Sequence, residues 1–399
     1  LPVAEAERLF SPNETVELPD HALIPGLINA HAHAGMNLLR GFADDLSLMR
    51  WLHEAIWPAE SKHASAAFVR DGTLLAAAEM LAGGITTCND MYFFPDAAAE
   101  AFDRAGMRAM IGMVVIDFPT AYATGPDDYL AKGLSIRDKW KDNPRMHFSL
   151  APHAPYTVSD ETFRRIVDLA DELDLTIHLH LHETREEVAQ AVEQSGKRPF
   201  ARLDDLGIVG PNLLAVHTVH LDANEIATLR AKACRVVHCP SSNMKLASGI
   251  APVRELLAAG IPVALGSDGA ASNNRLDLFQ EMRHAALLAK VVSGDASAVP
   301  AQQALWMATM GGAHAIGLEQ QVGSILPGKQ ADLIAISLSS LETRPCFDPV
   351  SHLVYAAGRE HVSHVWVDGK LSAENGKVLQ IPNKELLAIA ALWQNKLKG

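Results

Sequence analysis

Eight short apolar runs, parted by amphipathic stretches, constrain this chain more than any other feature. They fall at 23–33 (LIPGLINAHAH), 85–93, 107–117, 146–152, 175–182 (LTIHLHLH), 212–220, 234–239 and 261–268 (IPVALGSD). Between them, 64–82, 159–173, 184–194, 222–232 and 252–259 carry the apolar spacing of helices. Two of these open on capping residues, Ser159 with Thr162 and Asp222 with Glu225. Strands that alternate with helices build parallel sheets, and eight of them predict a (β/α)8 (TIM) barrel of the α/β class. A doubly wound open sheet would want a GxGxxG turn after its first strand, and none follows 23–33.

The last part of the chain has a different texture. GSILPGKQADLIAISL and VSHVWVDGKLSAENGKV are short β runs broken by Gly, Pro and Asn. They predict a small β-sandwich appended to the barrel, with 9–23 adding a strand or two from the other terminus. The expected domains are 1–22 for the N-terminal part of the sandwich, 23–320 for the barrel, and 321–399 for the rest of the sandwich and a terminal helix.

Composition excludes several partners. No apolar run reaches the roughly 20 residues of a membrane helix, and LPVAEAERLFSPNE lacks the basic start and apolar core of a secretory leader. A net charge of −13 argues against nucleic acid, whose phosphates call for a basic face. Cys88, Cys234, Cys239 and Cys346 form no CxxC pair, which leaves no zinc ribbon or thioredoxin motif and fits reduced thiols in the cytoplasm.

Histidine, with 18 copies, carries the chemistry. In PGLINAHAH, His31 and His33 stand at i and i+2, so a strand points both imidazoles the same way. They sit at the end of the run, where the active sites of such barrels lie. His153 follows the fourth run, His180 and His182 end the fifth, His217 and His220 the sixth, His238 the seventh and Asp268 the eighth. One such histidine alone is more often structural than functional. Six of eight strand ends so equipped point to a metal and to catalysis, because unpaired polar groups are costly to bury. Imidazoles with a carboxylate suit zinc, with Fe2+ or Mn2+ as the other candidates. HLHLHET offers no lysine to bridge a second ion, so one divalent metal ion per chain is expected.

PGLINAHAH, HLHLHET, HTVHL and LGSDGAASNN together resemble the amidohydrolase superfamily. NLLRGFADDLSLMRWL, APHAPYT and CPSSNMKLASGIAPV narrow the likeness to its 5-methylthioadenosine/S-adenosylhomocysteine deaminase group, from about residue 18 onward. The resemblance implies hydrolytic deamination of an adenine ring. It implies His31, His33, His180 and Asp268 as metal ligands, Glu183 as proton shuttle, and His217 as the residue that orients the attacking water. It further implies His153 against the purine, Glu60 on the ribose hydroxyls and Trp51 as a wall. Read without it, Glu183 is a carboxylate at a helix start, Trp51 a core aromatic and Glu60 a solvated charge. The expected partners are a small nucleoside and further copies of the chain, in a dimer or tetramer. The main rivals are a hydrolase of another heterocycle (guanine, a pterin or a triazine) and a metal-binding scaffold, which would have no use for a proton shuttle.

Two departures from the group stand out. It usually has more strand ahead of LPDHALIPG than the residues here supply, so the N-terminal part of the small domain is expected to be incomplete. Arginines that grip a homocysteine carboxylate come from a region that here, between Arg108 and Arg137, contains none. Only Arg137, or an arginine of a neighbouring subunit, is left for that task.

Overall fold

A computed structural model describes residues 3–12 and 14–398; Leu1, Pro2 and Asn13, within the expected N-terminal segment, and Gly399 lie outside the described residues. Eight strands pair in parallel in sequence order: β2 (Leu27–Ala32), β3 (Ile85–Tyr92), β4 (Arg108–Val115), β5 (Met146–Pro152), β6 (Ile177–Leu181), β7 (Leu213–His217), β8 (Arg235–His238) and β9 (Val263–Leu265). The seam between first and last strand is bridged at its upper end. Asp268 N donates to His31 O at 3.0 Å, and the Asn29 side chain exchanges bonds with Ser267 at 2.9 and 2.7 Å. This is the expected barrel. β3 and β4 are buried at every residue, and the side chains of Asn89, Asp90 and Arg108 among them are each hydrogen-bonded within the protein.

The helices start where their caps direct. Ser159 Oγ accepts from Thr162 N at 3.3 Å to open Asp160–Leu173, and Asp222 and Glu225 form a capping box before Ala223–Ala231. Among the described residues, no helix is long and apolar enough to cross a membrane.

The run 23–33 is two strands, not one. β1 (His21–Pro25) pairs antiparallel with β10 (Leu333–Ser337) in the small sheet, and the chain passes into the barrel at Gly26. A Cβ at Gly26 would collide with the Thr86 side chain, so only glycine lets the two sheets join there. The small domain is one antiparallel sheet in the order β1, β10, β11 (Val362–Val367), β12 (Lys370–Glu374), β13 (Lys377–Val378). It is locked to the barrel by Arg108 and Asp332, 1% and 2% exposed, joined through two bonds of 2.9 and 3.2 Å. The terminal helix Asn383–Lys398 returns to the barrel, where Trp393 Nε1 donates to Asp71 at 2.8 Å.

The strands also end earlier than their apolar pattern suggests. His217 (φ 69°), Thr218 (φ 47°), His182 (φ 52°) and Asp268 (φ 60°) lie in the left-handed region, costly for residues with a Cβ. The backbone leaves the extended form just where side chains must turn into the mouth of the barrel.

Candidate metal and active site

β2 delivers His31 from its interior and His33 just beyond its end; β6 delivers His180, and the turn after β9 delivers Asp268. Their donor atoms converge. His31 Nε2 lies 3.3 Å from Asp268 Oδ1 and 3.2 Å from His180 Nε2, and His33 Nε2 lies 3.2 Å from the same Oδ1. Ligands about 2.0–2.1 Å from a tetrahedral zinc stand roughly 3.3–3.4 Å apart, so the spacing fits.

The outer bonds fit as well. His33 Nδ1 donates to Met91 O at 2.5 Å and His180 Nδ1 to His153 O at 2.6 Å, which turns both Nε2 lone pairs inward. Asp268 Oδ2 accepts hydroxyls from Ser242 and Ser272 at 2.6 and 2.9 Å, leaving Oδ1 to the cluster. Burial alone would lower His33, yet the bond to Asp268 and its charge push it up to about 9. Burial likewise works to raise Asp268, but the bonds to His31 and His33 hold it well below the usual carboxylate range. A buried anion that draws positive charge among inward lone pairs is what a divalent cation requires.

His217 lies as close to the cluster, its ring stacked on His180 at 5.5 Å, and by distance it forms a ligand triplet with His31 and His180. Its Nδ1 receives the Asn243 Nδ2 hydrogen at 3.0 Å, so Nε2 carries the ring proton. That proton faces Glu183, with Nε2 3.6 Å from Oε2. Burial, reinforced by the charge of Asp268, pushes Glu183 up to about 8. Glu183 is not the helix-start carboxylate. Thr184 caps Arg185–Ser195 by accepting from Glu187 N at 3.1 Å, and the Glu187 carboxylate takes the Glu183 N–H at 2.8 Å. The Glu183 carboxyl is thereby left to the cavity.

That cavity, about 490 Å³, is lined by His33, Trp51, Glu60, His153, His180, Glu183, His217 and Asp268 together with apolar and aromatic side chains. Of the residues that the resemblance implies, only His31 is not part of this lining; the strand-end histidines His182, His220 and His238 do not line it either, His220 bonding instead to Ser248 O at 2.7 Å. Trp51 and Glu60 come from a helical arm, Leu48–Trp51, Leu52–Ile56 and Trp57–His63. Glu60 is no solvated charge: burial pushes it up to about 7, and Tyr92 O–H donates to its Oε1 at 2.6 Å. His153 Nδ1 pairs with Thr157 Oγ1 at 3.0 Å. Among the described residues, no lysine or arginine lines the cavity. Arg108 is committed to Asp332, and Arg137 sits on Pro126–Trp140 against Asp138 at 3.4 Å.

Ser242, Asn243 and Ser272 lie within the stretches CPSSNM and SDGAASNN, but no spacing there sets them beside the ligands, and the sequence alone assigns them no role. His178 is different: it stands two residues before His180, the same spacing as His31 and His33, and that period already places it on the inward face.

A parallel barrel that gathers imidazoles and one carboxylate at its strand ends, beside a buried acid, is the architecture of a metal-dependent hydrolase. A model of the amidohydrolase family matches residues 22–372. A 5-methylthioadenosine/S-adenosylhomocysteine deaminase of Teredinibacter turnerae is 49% identical over 397 residues, covering 100% of this chain and 90% of that protein. One of Saccharophagus degradans is 46% identical over 399 residues, again 100% and 90%. The crystal structure of an adenosine deaminase from Xanthomonas campestris with bound zinc is 49% identical. It covers 100% of this chain and 91% of that one, at a TM-score of 0.98. This chain belongs to the amidohydrolase family.

Proposed function

We propose that this chain is a zinc-dependent hydrolase that deaminates the adenine ring of 5-methylthioadenosine, adenosine or S-adenosylhomocysteine. The product is the inosine-type nucleoside and ammonia. One observation carries the reading: two metal-ligating triplets that share His31 (His31, His33 and Asp268; His31, His180 and His217), a buried acid raised to about 8 and a carboxylate-bearing arm meet at one cavity. The relatives named above act on the same substrate class by name.

His31, His33, His180 and Asp268 hold the zinc. The chemistry it supplies when bound is an acidified water, its pKa lowered from 15.7 to about 7. Glu183, protonated at neutral pH, gives its proton to N1 of the purine and makes C6 electrophilic. Asp268 takes the proton that the water sheds as its oxygen adds to C6. His217 directs its Nε2–H at that oxygen and holds it in line. Glu183 then recovers a proton from the new C6 hydroxyl, and the proton on Asp268 passes to the amino nitrogen, which leaves as ammonia. His153 contacts the ring, Trp51 closes a wall, and Glu60, braced by Tyr92, accepts the ribose hydroxyls. A guanine, pterin or triazine would leave Glu60 without a partner.

We infer a cytoplasmic setting from four free thiols, and self-association as a dimer or tetramer, which sedimentation would test. Ammonia release from adenosine, 5-methylthioadenosine, S-adenosylhomocysteine, guanine and cytosine, with chloride release from a chlorotriazine, tests the function. The adenine nucleosides should exceed the rest by an order of magnitude or more in kcat/KM. A free base or triazine turned over best would refute the reading.

A further inference from the structure

We infer that His178 is a positioning residue for the metal site: its Nε2 accepts the Nδ1 hydrogen of His31 and thereby turns the bare Nε2 of His31 toward the ion. This rests on the reading of His31 as a ligand. His178 lies on β6, one inward position below His180, and is wholly buried. Its Nε2 stands 2.9 Å from His31 Nδ1, the two rings edge to face at 4.9 Å.

Hydrogen counting then leaves one arrangement. A neutral imidazole has one N–H. If His178 Nε2 held the hydrogen of this bond, His31 Nδ1 would be the acceptor. His31 would then carry its own proton on Nε2, the atom facing His180 and Asp268, and could not ligate. With the hydrogen on His31 Nδ1, its Nε2 is bare and His178 is the acceptor. His178 must then keep its proton on Nδ1. That nitrogen is buried and finds no partner, an unmade bond that burial makes costly. A leucine would fill the same space without it. The polar ring therefore does something other than pack, and the atom it touches is the back of a ligand. His33 and His180 have carbonyl oxygens in the same role, Met91 O and His153 O; His31, deepest of the three, has an imidazole.

The test compares zinc affinity, by chelator competition, in the full chain and in His178→Gln and His178→Leu. The Gln amide oxygen can still accept from His31; Leu cannot. An acceptor role puts Gln within about threefold of the parent and Leu about 10- to 100-fold weaker, the usual scale for losing a ligand's outer partner. A packing role gives the opposite order, with Leu the milder change, and that order, or equal affinities in all three, overturns the inference. A second readout reports on the parent chain itself. Imidazole 15N shifts of the zinc-loaded parent, with the His178 signal assigned against His178→Gln or by labelled-fragment analysis, should show Nδ1 protonated and Nε2 bare. A protonated Nε2 on His178 overturns the inference while leaving zinc binding intact. A parent chain that holds no zinc overturns the site reading itself and this inference with it.

Discussion

The far end of the cavity separates two substrates that differ only in their tails. 5-Methylthioadenosine ends in a neutral methylthio group, S-adenosylhomocysteine in an amino acid carrying a carboxylate. The loop after β4 supplies Phe118, Pro119 and Tyr122 to the cavity wall, and no lysine or arginine joins them among the described residues. A bound carboxylate without a charged donor forgoes about 1.5–3 kcal/mol, which is roughly 10- to 150-fold in affinity. The chain should therefore use 5-methylthioadenosine better than S-adenosylhomocysteine by at least about tenfold in kcat/KM, measured by the absorbance change of the purine. Phe118→Arg is the matching perturbation. Phe118 is 42% exposed at the edge of the cavity, so a new ion pair there is partly screened and worth about 0.2–1 kcal/mol. The variant should narrow the preference by up to about fivefold and leave adenosine turnover nearly unchanged. A parent enzyme that already favours S-adenosylhomocysteine refutes the reasoning and points to a carboxylate site contributed by another subunit.

The remaining expectations bear on single groups. Glu183→Gln should lower kcat by about 10²–10⁴ with zinc content unchanged; a variant that keeps its rate would return Glu183 to a structural role. In the parent enzyme, kcat/KM should fall as pH rises toward and past 8. Burial sets the Glu183 pKa near that value, and the ionised form has no proton for N1. Metal analysis should find one zinc per chain, with chelation abolishing activity and zinc restoring it, whereas two ions per chain would contradict the four-donor site. Glu60→Ala should raise KM for nucleosides far more than for free adenine, and an equal effect on both would detach Glu60 from the ribose. Arg108→Ala strands the buried Asp332 carboxylate and should cost about 3–5 kcal/mol of stability, read from a urea midpoint; an unshifted midpoint would show that the two domains are not coupled through this pair.

How much of this was legible in the sequence depends on the range of the interaction. Strand–helix alternation and the caps at Ser159 and Asp222 are local, and the structure follows them. The division at Gly26 was not legible. LIPGLI carries no polar side chain across the join, because β1 packs within one sheet and β2 within another, and hydrophobicity does not say which sheet a strand joins. The pairing of Arg108 with Asp332 spans 224 residues and leaves no local trace. Strand ends were overdrawn at His217 and Asp268 because only the site, not the apolar pattern, demands a left-handed backbone there.

The segment HETREEV shows the same boundary at the scale of one carboxylate. Glu183, Glu186 and Glu187 all lie within the first turn or just before it, and a helix N-terminus welcomes any of them. The choice follows from Thr184. Once its hydroxyl takes the Glu187 N–H, the helix begins at Arg185 and Glu187 falls on the buried side, with its carboxylate bonded to the His182 and Glu183 amides. Those bonds stiffen the turn in which His182 is left-handed, and the turn in turn aims Glu183 past Ser248 toward His217. A one-residue shift of the cap would put Glu186 where Glu187 now stands and remove the bonds that hold the Glu183 turn toward the cavity. Thr184→Ala should therefore reduce turnover beyond its effect on stability. The cap itself is worth about 1 kcal/mol, a loss that thermal unfolding would register. A kcat drop of tenfold or more with zinc retained would show the misplacement of Glu183. Unchanged kcat with only the stability loss would mean that the Glu187 bonds alone hold the turn.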